Sequence, residues 1–451
     1  MPDNRAAVRR LINWHLPGRG RAWGPQDDIF VSAMLDLKFI RENPDVAKQG
    51  LARKGVKTDA IDRLIELDSR RRELLQKVEG HKAGRNRSND EISQAKKAGK
   101  ATQTIINDMK IISQKIADID HKVGELDNNI ALILCSTPNI ADKSAPDGFG
   151  ASSNRVVREW GKMPGFTFKP KDHIELGTKL GWVSFERAAK LTGSGFVLFQ
   201  GEGARLMRGL VNFMLDLHSK KHGYQEVWPP ALVNRASMTG TGQLPKMEED
   251  MYKLKDDDYF LIPTAEVPVS NIHRDEVLDE KRLPLKYVAY SPCFRREAGS
   301  YGNDTRGLSR VHQFDKVELV KFVKPEDSLI ELESLVQDAE EVLKLLELPY
   351  RVVLLCAGDL SFAAAKCYDL EAYAPGMDRW FEVSSCSMFS DFQARRMNIK
   401  YKPGKGGKPE YVHTLNGSGV AFARTILCLL ENHQQADGSI KIPSALKPYL
   451  S

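Results

Sequence analysis

The chain has 451 residues with a formal net charge of +6, and 28% of its residues are charged. That length exceeds one ordinary hydrophobic core, so two or more domains are expected, and the mild basicity permits a nucleic-acid partner without demonstrating one. No apolar run approaches the roughly 18 residues of a membrane span, which excludes an expected membrane partner of the helical type.

Cysteine usage narrows the setting. The six cysteines (Cys135, Cys293, Cys356, Cys367, Cys386 and Cys428) show no CxxC spacing. A reduced, cytoplasmic chain with no disulfide framework and no structural zinc is therefore expected. A GxxxxGK[ST] phosphate loop is absent, which removes the commonest nucleotide-binding arrangement.

In chain order, residues 1–33 stand apart. They contain RAAVRRLINWHL, and no acid occurs between positions 4 and 26. A targeting peptide is one reading. The stretch is serine-poor and is followed by Asp27 and Asp28, which favours an upstream start or a disordered extension.

The next hundred residues carry a heptad pattern. Ile105, Met109, Ile112, Ile116, Ile119, Val123, Leu126, Ile130 and Ile133 alternate steps of four and three, as a helix–helix seam requires. Ile61, Leu64, Leu67, Leu74 and Val78 form a weaker partner pattern, and KKAGK (Lys96 to Lys100) places a glycine break between the two. An antiparallel helical hairpin follows, each arm about 50 Å long. Residues 70–100 hold ten Lys or Arg against four Asp or Glu, whereas residues 101–133 hold three against five. The basic excess thus falls toward the tip. A solvated face is the ordinary meaning of such a charge run, and phosphate contact is the functional one.

Beyond residue 195 the signals change. Gly195 to Pro230 reads as a long helix and then a strand ending at proline. Lys286 to Tyr290 and Val311 to Phe322 read as strands around a loop rich in Gly, Asn and Asp. On such strands Arg295 and Glu297 would share a face, as would Phe314, Lys316 and Glu318. Phe314 and Glu318 would stand about 13 Å apart, a span suited to a flat base at one end and a small polar group at the other. Arg306 and Arg310 in the loop would add positive charge over a polyphosphate. Near the C-terminus, Val420 to Leu430 reads as a buried helix containing Arg424. A guanidinium cannot discharge by losing its proton, so Arg424 must meet an anion. A structural ion pair would satisfy it. The small residues Asn416 to Gly419, read as the entry to that helix, would also admit a phosphate-bearing ligand.

Together these segments resemble the class II aminoacyl-tRNA synthetases, and within them the seryl-tRNA synthetases of bacterial type. CFRRE (Cys293 to Glu297) with its strands is similar to the second class motif, NGSGVAFAR (Asn416 to Arg424) to the third, and Gly195 to Pro230 to the first. The seryl branch is marked by PTAEVP (Pro263 to Pro268), HQFDKVE (His312 to Glu318) and HTLNGSG (His413 to Gly419). The resemblance runs from Met34 to the C-terminus. It implies an α+β fold: an antiparallel sheet flanked by helices, with an N-terminal antiparallel coiled-coil hairpin. The implied domains are 34–143 for a tRNA-binding arm and 144–451 for catalysis.

The same resemblance implies a chemistry and its residues. Serine would be activated with ATP to seryl-adenylate and passed to the terminal adenosine of tRNA(Ser), and of tRNA(Sec) where that exists. ATP would meet Arg295, Arg296, Glu297, Arg310, Val311, Phe314, Glu382, Val383, Ser384, Ser385 and Arg424. Within that set Arg295 and Arg424 are the catalytic pair, and Phe314 and Arg424 would sandwich the base or neighbouring phosphates. Glu382 and Ser385 would ligate Mg2+, a hard ion that prefers oxygen. Serine would meet Thr264, Ala265, Glu266, Arg295, Glu318 and Ser418. Lys96, Lys97 and Lys100 would touch tRNA. The first motif implies a homodimer. Arg296 stands where serine is common in the family, a departure that bears on local substrate affinity and not on the reaction. A carrier-protein ligase would keep the adenylate site but typically lacks the long hairpin.

Overall fold

The computed structural model describes residues 35–99, 101–297, 306–404 and 406–450. The expected extension at 1–33 and the tRNA contact at Lys100 lie outside the described residues. The chain divides into two compact units, one of residues up to 49 and 57–137, the other of 50–56 and 138 onward.

In the first unit two long helices pair: α1 (Asp59–Lys97) and α2 (Gln103–Ser136). The heptad reading holds. Ile61, Leu64, Leu67 and Val78 of α1 are buried, as are Ile116, Val123, Leu126 and Ile130 of α2. Ile105, Met109 and Ile112 are half-buried, so the seam loosens toward the connection. Helix α1 stops at the expected glycine, Gly99, whose φ of 65° is the left-handed conformation that ends helices. An Arg71–Asp127 ion pair crosses between the helices. Arg41 reaches the otherwise buried Asp68 at 2.9 Å.

The second unit is built on an eight-stranded sheet. In chain order its strands are β1 (Arg155–Trp160), β2 (Gln225–Glu226), β3 (Leu285–Phe294) and β4 (Gln313–Val323), then β5 (Tyr350–Leu354), β6 (Lys366–Ala374), β7 (Arg379–Met388) and β8 (His413–Ala421). Their spatial order is β1-β5-β6-β7-β8-β4-β3-β2, antiparallel except for the β2–β3 pair. Period-two alternation explains the layering. Val317 and Leu319 of β4 enter the main core with helices α4 (Ser328–Leu345) and α5 (Phe422–His433), and with α3 (Glu202–Asp216). Val320 and Phe322 enter a second cluster on the opposite face, with Ala265, Val269 and Met397.

The segment from Gly195 to Pro230 holds α3, a wider π turn at Leu217–Lys221 and the two-residue β2. Two sequence expectations need correcting. Asn416 to Gly419 lie within strand β8 and not at a helix entry, and α5 begins only at Phe422. Small residues carry no period, so composition could not separate the two. None of the six cysteines is in a disulfide. None of the described helices is long and apolar enough to cross a membrane.

Candidate active site

Strands β7, β8 and β4 lie side by side, and their neighbouring ends gather most of the residues singled out above. Ser418 of β8 is the direct register partner of Glu318 of β4. Beyond Ser418 the register slips, and Val420 takes a φ of 121°, a strained value for a β-branched residue. This bulge separates Ser418, in the sheet, from Arg424, in the first turn of α5.

The Ser418 end is a cluster of buried polar side chains. Thr264, Glu266, Glu318 and Ser418 are all buried, as is Lys316. The Lys316 ammonium lies 2.5 Å from Glu318 Oε2 and donates to Thr264 Oγ1 at 2.8 Å. Thr264 in turn donates to Glu318 Oε2 (3.2 Å) and accepts from the Glu266 N–H (3.2 Å). Glu266 heads a short helix (Glu266–Ser270) and accepts from Gln393 Nε2 at 2.6 Å. Gln393 is anchored from behind, because Thr414 donates to its Oε1 at 2.8 Å. Ala265 is fully buried against the second core, so only its backbone can serve a ligand.

Burial, and then the neighbouring Glu318, push the Glu266 carboxyl up to about 7. A carboxyl raised on folding favours the protonated state. Its stabilising contribution is complete below about 4.5, its ordinary value, and is lost as pH rises through about 7. The loss amounts to about 3 kcal/mol. Glu266→Gln keeps an acceptor for Gln393 and should therefore melt higher than the parent at pH 8. The gain should shrink toward pH 5.5. Equal gains at both pH values in calorimetry would contradict the raised carboxyl.

The other end is open and cationic. The Arg295 guanidinium stands 5.2 Å over the Phe314 ring, and its Nε donates to the Pro263 carbonyl at 3.3 Å. Arg424 donates to the carbonyls of Glu382 (2.8 Å) and Ser309 (3.0 Å), and its Nη1 is 3.5 Å from Glu382 Oε2. The anion required by Arg424 is thus Glu382, although the guanidinium is half-buried rather than enclosed. It is Arg295, and not Arg424, that covers Phe314 here. Glu297 pairs with Arg310 at 2.7 Å. Glu297 has a φ of 50°, beyond the end of β3, so strict alternation with Arg295 fails. Arg296 is exposed and its N–H donates to the Asp250 carbonyl.

Arg310 sits in a loop with an anchor that sequence gave no sign of. Leu308 N–H donates to His173 Nε2 (3.1 Å), whose Nδ1 meets the buried Glu431 at 2.9 Å. Gly307 tolerates this approach because a Cβ there would lie 2.2 Å from His173 Nε2. Val311 and Val383 point into the main core, leaving their backbones to any ligand. Ser384 donates to the Ser418 carbonyl at 2.6 Å, tying β7 to β8. Ser385 lies opposite Asp369 of β6, its hydroxyl 3.1 Å from Cys367 Sγ. Burial and the nearby Glu382 hold the Asp369 carboxyl well above the usual carboxylate range. Among the described residues, no three His, Cys, Asp or Glu side chains converge as a metal site.

Three polar residues of this region escaped sequence reasoning in their present roles: Lys316, Gln393 and Asp369. Only Lys316 gave a signal, as a cation on the strand face shared with Phe314 and Glu318. Lys96 and Lys97 are exposed in the last turn of α1. Cations there also suit the helix dipole.

Residues 34–141 match the family model described as the seryl-tRNA synthetase N-terminal domain. Residues 251–433 match the tRNA synthetase class II core domain (G, H, P, S and T). A serine–tRNA ligase of Pelobacter propionicus is 54% identical over 417 residues, covering 92% of this chain and 98% of the relative. The seryl-tRNA synthetase of Pyrococcus horikoshii, solved in complex with ATP, superposes with a TM-score of 0.87 at 40% identity, covering 92% of this chain and 98% of its own. The cytoplasmic serine–tRNA ligase of Naegleria fowleri, solved with AMP, gives 0.83 at 30% identity over 93% and 97% of the two chains. The two family models together span the hairpin and most of the sheet, these relatives match over nearly the whole chain, and the chain belongs to the seryl-tRNA synthetase family of class II aminoacyl-tRNA synthetases.

Proposed function

We propose that the polar pocket at Glu318 takes L-serine and the cationic end at Arg424 takes ATP, with Arg295 between them. The observation that carries this reading is the Ser418–Glu318 register pair, one bulge away from Arg424. The reaction is a two-step ligation. A serine carboxylate oxygen attacks the α-phosphorus of ATP, and the bond to pyrophosphate breaks. A hydroxyl of the terminal adenosine of tRNA then attacks the seryl carbonyl, and AMP leaves. No side chain is placed as a dedicated base, so the departing phosphate takes the proton. Catalysis is then positioning and charge stabilisation.

Arg295 offers a planar fork to the α-phosphate and the serine carboxylate. Glu297 accepts from the adenine amino group, and Arg310 holds the γ-phosphate of a bent nucleotide. Their mutual ion pair opens for both. Phe314 stacks on the base, and Arg424 braces the nucleotide from α5. Mg2+ would be held by Glu382 and Ser385, an exposed carboxylate and a hydroxyl, and when bound it would neutralise phosphate charge. Thr264, Ala265, Glu266, Glu318 and Ser418 form the serine pocket, which crowds out the extra methyl of threonine.

The hairpin unit is the tRNA-binding arm, with Lys96, Lys97 and Lys100 among its phosphate contacts. The unit carrying the sheet is the catalytic one. The enzyme works in the cytoplasm as a homodimer assembled through Gly195 to Pro230, on tRNA(Ser) and also on tRNA(Sec) where that exists. Cysteines outside any disulfide and mostly buried support a reducing compartment.

Serine-dependent pyrophosphate exchange tests the division. Glu318→Gln should raise the serine KM by at least about tenfold, since a buried charged acceptor is worth about 1.5–3 kcal/mol. The ATP KM should stay within a few-fold. Equal losses for both substrates would reverse the assigned polarity of the site.

A further inference from the structure

Lys316 is the one buried cation of the serine pocket that the reading above leaves without a task. Its side chain is 7% exposed and that of its partner Glu318 is 2% exposed. Placing such a pair out of water is expensive, and an apolar pair of similar size is often as stable. The arrangement around it is specific. Thr264 has one hydroxyl proton and two lone pairs. The proton goes to Glu318 Oε2, and the lone pairs take Lys316 Nζ and the Glu266 N–H. While Lys316 stays in place, the Thr264 hydroxyl is fully used.

An ammonium has three donors, and two of those on Lys316 have partners here. Thr264 has nothing left to offer, but Glu318 keeps Oε1 and Lys316 keeps its third hydrogen. An acceptor and a donor therefore remain side by side. Among small amino-acid side chains only a hydroxyl answers both well, donating to the carboxylate while accepting from the ammonium. A methyl group answers neither and leaves both buried and unpaired.

We propose that Lys316 is a specificity-determining residue of the serine pocket, which fixes Glu318 and Thr264 and presents a donor beside the Glu318 acceptor, so that a substrate hydroxyl is read twice. The proposal rests on the pocket assignment made above and adds to it the residue that separates serine from alanine. Removing the cation also leaves Glu318 beside Glu266 without a counter-ion.

Pyrophosphate exchange with serine and with alanine tests this on Lys316→Met. The serine KM should rise by about 100-fold, with the ATP KM within about threefold of the parent. The serine-over-alanine ratio in kcat/KM should fall from about 10⁴ toward about 10². A parental ratio in a folded Lys316→Met enzyme would overturn the proposal and make the lysine a structural counter-ion only. Equal rises in both KM values would overturn it too. Should the single variant fail to fold, Lys316→Met combined with Glu318→Gln removes both charges at once. That enzyme should fold, bind ATP and show the same low ratio, and a parental ratio there would equally overturn the proposal. Failure of the pocket assignment itself reads differently: Glu318→Gln alone would then alter ATP rather than serine.

Discussion

Replacing Arg295 with alanine is expected to lower serine-dependent pyrophosphate exchange by about 10³-fold, the scale set by losing one preorganised donor to a developing negative charge. The fold should hardly respond. Arg295 lies beyond the end of β3, exposed; its backbone is tied to His312, and its side chain, which alone the substitution removes, donates at 3.3 Å to the Pro263 carbonyl and covers one ring face. Exposed residues of that kind shift stability by about 0.5 kcal/mol or less. A side chain that supports so little of the structure is left to the ligand role proposed above. Exchange kinetics and thermal melting on one preparation decide the matter. Near-parental exchange would remove Arg295 from the chemistry, whereas a large fall in melting temperature would make it structural.

The second large effect separates the two units. Removing residues 59–136 and joining Thr58 to Thr137 by a flexible linker should preserve serine activation within a few-fold. Charging of tRNA should fall by at least about 10²-fold. The seam explains why the remainder survives: the buried residues of α1 and α2 pack along their common face. Basic residues are concentrated in α1, so tRNA binding by the intact enzyme should weaken steeply with salt. Neutralising Lys96, Lys97 and Lys100 should flatten that slope by up to about three contacts, at about 0.7–0.9 unit each. Undiminished charging by the shortened enzyme would assign the hairpin to assembly or to another partner.

What the sequence made legible follows from period. The heptad seam and strands β3 and β4 each repeat a spacing that only one regular structure satisfies; the seam and β4 emerged close to their expected limits, whereas β3 runs four residues past the expected Tyr290. Where period was missing, the reading slipped. Asn416 to Gly419 are too small to show a face, and Glu297 leaves the strand by turning left-handed. The polar network was hidden for a different reason. Gln393 and Glu266 are 127 positions apart and His173 and Glu431 are 258 apart, so nothing local announces either pair. Motif resemblance named the residues proposed to face ligands, and the structure supplied the partners that hold them still.

The strand order has a consequence for how the protein comes into being. Strand β8 is the last of the sheet to be synthesised, yet it sits between β7 and β4 in the middle. Until it arrives, β4 and β7 each expose an unpaired edge, and the pocket has neither Ser418 nor the helix bearing Arg424. With the ligands placed as proposed above, a nascent chain cannot be steadied early by serine or ATP. It emerges from the ribosome with two open edges of the kind that pair with other chains, and the final insertion both closes them and completes the site. Competence and protection from aggregation are reached in one late step.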